Sequence, residues 1–146
     1  MKINWTTVAA VLVGLIIGFS IYMLAIGGRS VPNEIDEANS IVDSLLKSLR
    51  QGDYKLFSKH FSNELRKEFP EESFWVLRSY ILNKLGSPTK AEYTYHIVNG
   101  NETLVVYKVL FTECEEGVKL KIVFTHDDGK LLIKSFAFDL SSHESR

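Results

Sequence analysis

The sequence predicts an α+β fold: an N-terminal transmembrane helix, then helices packed on a curved four-stranded antiparallel meander sheet. Three features of the chain support this prediction. No residue from Ile3 to Gly28 is charged. Apolar residues at helical spacing then continue to Gly86, and from Ala91 onward apolar and polar residues alternate. Helices first and strands afterwards, in separate parts of the chain, are typical of the α+β class.

The predicted anchor is the apolar stretch at residues 8–26, which contains nineteen residues and no charge. A helix of that length spans roughly 28 Å, close to the ~30 Å hydrocarbon core of a bilayer. The lipid bilayer is therefore the first predicted partner. Gly14 and Gly18 have the spacing at which two membrane helices approach closely, although glycine is also common in such helices without that role.

A cleaved signal peptide is the alternative interpretation of the same segment. Lys2 supplies a basic start and residues 25–27 form a small-x-small cleavage site. The apolar stretch, however, is longer than the 7–15 residues usual for a signal core. Because the segment looks like a signal anchor with a very short N-terminal tail, we predict a single-pass cell-membrane protein. Its C-terminal domain is expected outside the cytoplasm.

Charge, histidine spacing and cysteine count argue against several functional classes. Without Lys2 and Arg29, 15 basic residues face 18 acidic ones, a formal charge of −3, which argues against nucleic-acid binding. The four histidines are dispersed, with no pair at i+2 or i+4, so we predict no metal site and no cofactor. His126, beside an acidic turn, is expected at the surface. Cys114, the only cysteine, is predicted to be a small buried hydrophobe.

Capping residues divide the helical part of the domain. Asn33 is the predicted N-cap of the first helix, Gly52 ends it, and Asp53 caps a short second helix. Pro70 is predicted to open the last helix and Gly86 to close it. The buried faces are expected to be Tyr54, Phe57 and Phe61 on the short helix, and Phe74, Trp75, Leu77, Ile81, Leu82 and Leu85 on the last.

Four strands follow, at residues 91–97, 104–111, 118–124 and 131–138. Asn99 and Gly100 form a strong hairpin signal and predict a two-residue turn with positive φ at both positions. Further turns at residues 115–117 and 127–129 leave an antiparallel meander as the topology. Tyr93 and Tyr95 are predicted to face the helices, and His96 to face solvent.

The pattern at residues 51–54, with Phe57, Phe61 and the helix-closing Gly86, resembles the nuclear-transport-factor-like superfamily of cone-shaped α+β domains. Within it, the chain is most similar to a prokaryotic membrane-anchored family of unknown function. The resemblance covers residues 34–140 and implies a curved sheet wrapped around helices, enclosing a pocket. The superfamily includes ketosteroid isomerases and dehydratases as well as binding members. The predicted organisation is an anchor at 1–28, a linker at 29–33, a cone-like domain at 34–140 and a tail at 141–146.

The candidate ligand pocket consists of Tyr95, Tyr107, Phe57 and Trp75, on registers expected to face the interior. Such tyrosines can equally be core residues with a solvated hydroxyl. No carboxylate falls among these registers, so no catalytic residue is predicted; Asp139 is expected at a solvent-facing strand end. The predicted function is a membrane-tethered, non-catalytic domain that binds a partner protein or a small apolar ligand. The alternatives are a structural accessory subunit of a membrane assembly, or an enzyme of the isomerase or dehydratase type.

Overall fold

The structure, a computed structural model, describes residues 32–141. The predicted anchor with Gly14 and Gly18, and residues 142–146 of the predicted tail, lie outside the described residues. Within residues 32–141, no helix is long and apolar enough to span a bilayer. The membrane anchor and its orientation therefore stay predictions from the sequence.

Within the described residues, four helices precede the sheet: α1 (Pro32–Gln51), α2 (Tyr54–Phe57), α3 (Asn63–Glu68) and α4 (Glu71–Lys84). The sequence analysis predicted Asn33 as the N-cap of this helix. That prediction is wrong, because α1 already begins at Pro32 and Asn33 lies inside it. Gly52 ends α1 with a φ of +72°. The N–H groups of Gly52 and Asp53 both donate to the Ser48 carbonyl, at 2.8 and 3.0 Å. This is the left-handed closure that glycine makes at helix ends.

Four strands follow in the order β1 (Pro88–Asn99), β2 (Glu102–Phe111), β3 (Cys114–Asp127) and β4 (Lys130–Asp139). Every neighbouring pair is antiparallel, so the predicted four-stranded meander is confirmed. We call the face of the sheet that packs against the helices the inner face, and the opposite face the outer face.

The short helices between α1 and the sheet only partly match the prediction. Asp53 caps α2 as expected, accepting a hydrogen bond from the Leu56 N–H at 3.1 Å. Phe61, however, lies beyond the four residues of α2 and forms a parallel bridge with Ile133 of β4. Pro70 directly precedes α4 instead of being its first residue.

A β-bulge in β1 reverses the register predicted for its second half. Tyr93 pairs with Tyr107, but Tyr95 pairs with Val106, which leaves Thr94 as an extra residue. One inserted residue moves every later side chain to the other face. Tyr95 therefore lies on the outer face, and the prediction that it faces the helices is wrong.

The same bulge places His96 on the inner face, where it pairs with the buried Val105. The sequence had predicted a solvent-facing register for this histidine. The turn after β1 also lies one residue later than predicted, because Asn99 pairs with Glu102 across Gly100 and Asn101. Gly100 has a φ of +59°, whereas Asn101 is not among the positive-φ residues. Positive φ at the first central position only fits a type II′ hairpin, which needs glycine there.

The inner face holds the main core, and one half of it is filled with aromatic rings. The Phe57 ring lies 5.0–5.9 Å, centroid to centroid, from four other phenylalanine rings. We call these five side chains the phenylalanine cluster: Phe57, Phe61, Phe69, Phe74 and Phe136. All five are buried. A smaller apolar cluster on the outer face contains Leu104, Val106 and Val123, with Ile97 packed against it.

Candidate functional site

A row of polar and aromatic side chains occupies the other half of the inner face, between α1 and the first two strands. Tyr107 of β2 is 1% exposed, and its hydroxyl donates a hydrogen bond to Asn39 Oδ1 of α1 at 2.8 Å. Tyr93 of β1 stands directly opposite Tyr107, with ring centroids 6.4 Å apart in an edge-to-face arrangement. We call Asn39, Tyr93, His96 and Tyr107 the tyrosine row.

Tyr107, at the buried end of the tyrosine row, keeps its phenolic proton. Burial, reinforced by the negative charge of Asp43 and by Tyr93, raises the pKa of the Tyr107 phenol far above its usual value. Because all three causes disfavour the phenolate, Tyr107 acts as a hydrogen-bond donor at physiological pH. Its role in the row is to hold α1 against β2.

The open end of the tyrosine row reaches solvent. Tyr93 is 43% exposed although its register faces the helices, and its hydroxyl is hydrogen-bonded to Nδ1 of His96. His96 is half-buried. An exposed aromatic ring with a polar tip can supply both apolar contact and hydrogen bonds to a bound molecule.

The four residues predicted to share a pocket do not come together. Tyr107 lies on the inner face, and Tyr95, 38% exposed, lies on the outer face. Phe57 is enclosed by the phenylalanine cluster, where neighbouring rings fill the space around it. The bulge separates the two tyrosines, because it moves Tyr95 to the outer face while Tyr107, on the neighbouring strand, stays on the inner face.

Trp75 lies on α4 and is 42% exposed. A Cβ added at Gly52 would approach its ring to 3.3 Å, so the ring covers the turn that ends α1. The guanidinium carbon of Arg78 lies 5.9 Å from the ring centroid. Arg78 also donates hydrogen bonds to the carbonyls of Leu49 at 2.7 Å and Arg50 at 3.1 Å. The contacts of Trp75 thus belong to the closure of α1.

A general base at the tyrosines would require a buried carboxylate beside them, and neither Asp139 nor Glu113 provides one. Asp139 is on the outer face, opposite Lys119, and Glu113 is exposed. A hydrogen bond from the Ser141 hydroxyl, at 2.6 Å, and the nearby lysines hold the pKa of Asp139 below its usual value. Within residues 32–141, no three His, Cys, Asp or Glu side chains are grouped so that they could hold a metal ion.

A buried polar contact at the start of α1 was missed by sequence reasoning. Glu34 is 8% exposed and accepts a hydrogen bond from the Thr103 hydroxyl at 2.7 Å. His126 Nε2 lies 3.6 Å from the same carboxylate oxygen. These residues are far apart in the chain, and no local spacing signals their contact. They fasten the first turn of α1 to the ends of β2 and β3.

No protein-family model and no curated protein matches the sequence. Solved structures do match. One is Rd1NTF2_05 with five substitutions, 18% identical, with a TM-score of 0.52 over 72% of this chain and 98% of that one. Another comes from Campylobacter jejuni and is provisionally assigned as an NTF2-like transpeptidase. It is 17% identical, with a TM-score of 0.52 over 70% of this chain and 98% of that one.

A third structure is a domain of unknown function with a cystatin-like fold from Nostoc punctiforme. It is 13% identical, with a TM-score of 0.50 over 75% of this chain and 78% of that one. At these identities the likeness is one of fold. The domain therefore has the cone-shaped NTF2-like α+β fold that the sequence resemblance implied. A single fold can serve both enzymes and binding proteins, so the function has to be inferred from the side chains of the candidate site.

Proposed function

We propose that the chain is a membrane-tethered, extracytoplasmic, non-catalytic domain that binds a partner protein through strand β1. One observation carries the proposal: Tyr93 and Tyr95 are 43% and 38% exposed, and they project from opposite faces of the same edge strand. Tyrosine is enriched in protein interfaces because it offers a large, rigid contact area with a polar tip. A partner at this edge could contact both rings.

The chemistry of the tyrosine row supports binding over catalysis. A general base works best with a pKa near the operating pH. The pKa of Asp139 is lowered, and this carboxylate lies on the other face of the sheet. Tyr107 holds its proton and already donates to Asn39. These groups are therefore suited to stable hydrogen bonding more than to proton transfer.

The proposed membrane tether is inferred from the sequence that precedes the domain. Residues 8–26 are uncharged and long enough to cross a bilayer. The helix α1 begins at Pro32, so at most a few residues separate the domain from that segment.

In right-side-out vesicles, added protease should digest the domain without detergent. Digestion only after detergent is added would place the domain in the cytoplasm and overturn the orientation.

Photocrosslinking in cells that express the protein tests the proposed binding surface on β1. A photoreactive phenylalanine analogue that replaces Tyr95 in the full chain should give one discrete protein adduct. The substitution Tyr93→Ser in the same chain should reduce its yield several-fold, because both rings would touch the partner. The matched control places the analogue at Lys67 of α3, an exposed position far along the chain from β1.

An equal pattern of adducts from positions 67 and 95 would contradict a specific surface on β1. An adduct smaller than about a kilodalton, in place of a protein, would replace the protein partner by a small ligand. If the Tyr93→Ser chain gave the full yield of the protein adduct, Tyr93 would not belong to the binding surface.

A further inference from the structure

We propose that the outer face carries a second site, which binds a small organic carboxylate between Lys108 and Lys119. The site is a cleft of about 370 Å³ on the strands β1 to β4, a volume within the usual range for small-molecule sites. Side chains of both charges and one hydroxyl surround it: Thr94, Lys108, Glu116, Lys119 and Asp139. Tyr107 of the tyrosine row also borders this cleft, but Tyr93 and Tyr95, which carry the proposed function, do not, so this inference does not depend on that proposal.

The strand registers place four charged side chains in a line across the sheet. Glu92 pairs with Lys108, Lys108 with Lys119, and Lys119 with Asp139. The two lysines thus stand directly opposite each other, an arrangement that normally destabilises a sheet. Within residues 32–141, neither lysine lies within 4.0 Å of a carboxylate oxygen. An anion between the two ammonium groups would relieve this repulsion.

Gly117 fixes the direction of Lys108. Its φ is +80°, and a Cβ built on it would lie 2.9 Å from both Cγ and Cε of Lys108. The side chain of Lys108 therefore crosses the strand where only glycine leaves room. The β1 bulge contributes Thr94, whose exposed side chain belongs to the same cleft. Bulges of this kind are frequent beside functional sites, where they redirect a side chain.

The surrounding acids decide which anion fits. Asp139 stays ionised at neutral pH, because the Ser141 hydroxyl and the lysines Lys121 and Lys119 lower its pKa. With Glu92, it balances the two lysine charges in the row, and Glu116 adds a further negative charge at the border of the cleft. A single negative charge can sit between the lysines, whereas a second one would be repelled by the acids on either side. The remaining volume of the cleft accommodates the organic part of a monocarboxylate.

The test uses the full chain in phosphatidylcholine nanodiscs at 0.1 M NaCl, with benzoate as the probe and amide NMR signals as the readout. Benzoate should shift the amides of Thr94 and Gly117 in a saturable manner. In the Lys119→Gln chain its affinity should fall about tenfold, the effect of losing one charge-assisted contact. The melting temperature should change little, because the substitution removes both the repulsion from Lys108 and the attraction to Asp139.

Lys108→Arg should keep most of the affinity, since the charge remains. Lys130→Gln, at the exposed first residue of β4, is the matched control that should keep all of it. Tyr93→Ser should not change benzoate binding, so this result is independent of the β1 surface. Shifts that do not saturate, or equal affinity in the Lys119→Gln chain, would overturn the site. Inorganic phosphate that binds as tightly as benzoate would overturn the assignment to a monocarboxylate.

Discussion

The two halves of the inner face are built from similar amino acids but in opposite ways. Around β4 and the short helices, the phenylalanine cluster is buried, with Phe57 touching four other rings. Beside β1 and α1, the rings are tyrosines, joined to their neighbours by hydrogen bonds, and Tyr93 is 43% exposed. The comparison teaches that the two halves use aromatic rings differently: one half is packed closed, and the other keeps an aromatic surface open to solvent, where we propose that a partner binds.

The largest expected effect is in the closed half. Phe57→Ala should destabilise the fragment 30–146, which contains every described helix and strand, by about 3–5 kcal/mol, because it removes a ring with four aromatic neighbours. Urea unfolding followed by circular dichroism measures the loss. A loss below about 1 kcal/mol would mean that this half is loosely packed, and the contrast between the halves would disappear.

An effect of intermediate size is expected at the buried end of the tyrosine row. Tyr107→Phe removes the hydroxyl that donates to Asn39 and leaves a part-buried acceptor without that bond. The expected loss is about 1–3 kcal/mol in the same unfolding assay. Tyr93→Phe is the matched control: at this exposed ring the loss should stay within about 0.5 kcal/mol. Equal losses at both tyrosines would show that the open end is as structural as the buried one.

The smallest effect is a pH dependence. The folded-state pKa of Tyr107 is raised above its usual value near 10, so the unfolded chain loses this proton first as the pH rises. The stability that the phenol contributes is complete below about pH 10 and is lost above it, by at most about 1.4 kcal/mol per pH unit. Urea unfolding between pH 9 and 11 should show a shallower decline for Tyr107→Phe than for the unmodified fragment. Parallel declines would contradict the raised pKa.

Much of the fold could be predicted from the sequence, because its signals are local. Gly52 and Gly86 end helices where expected, and both have the positive φ that glycine allows. The apolar alternation predicted four antiparallel strands, and the registers confirm them. The turn predicted at residues 115–117 was wrong: Phe111 pairs with Cys114, so the turn lies at Thr112 and Glu113 and residues 115–117 belong to β3. The helix boundary at Asn33 was wrong, since α1 begins before it.

The candidate site was predicted poorly because it depends on a bulge. The run Tyr93 to His96 alternates without a break, so nothing in it indicates that Thr94 is unpaired, and the faces of Tyr95 and His96 were exchanged. The contact of Glu34 with Thr103 joins residues 69 positions apart, which a local pattern does not encode. Trp75 was expected in a pocket because helical spacing does not distinguish a ring that covers a helix end from one that lines a cavity.

The bridge between Phe61 and Ile133 has a consequence for how copies of this domain can associate. The Ile133 N–H donates to the His60 carbonyl at 2.6 Å, and the Ser62 N–H donates to the Ile133 carbonyl at 2.8 Å. The middle of the β4 edge is therefore already paired, whereas within residues 32–141 the strand β1 pairs only with β2. In the language of polymer chemistry, the two edges of the sheet differ in functionality. Strand pairing between copies of the domain is favoured along β1 and opposed at the middle of β4, which limits the growth of fibres through edge pairing.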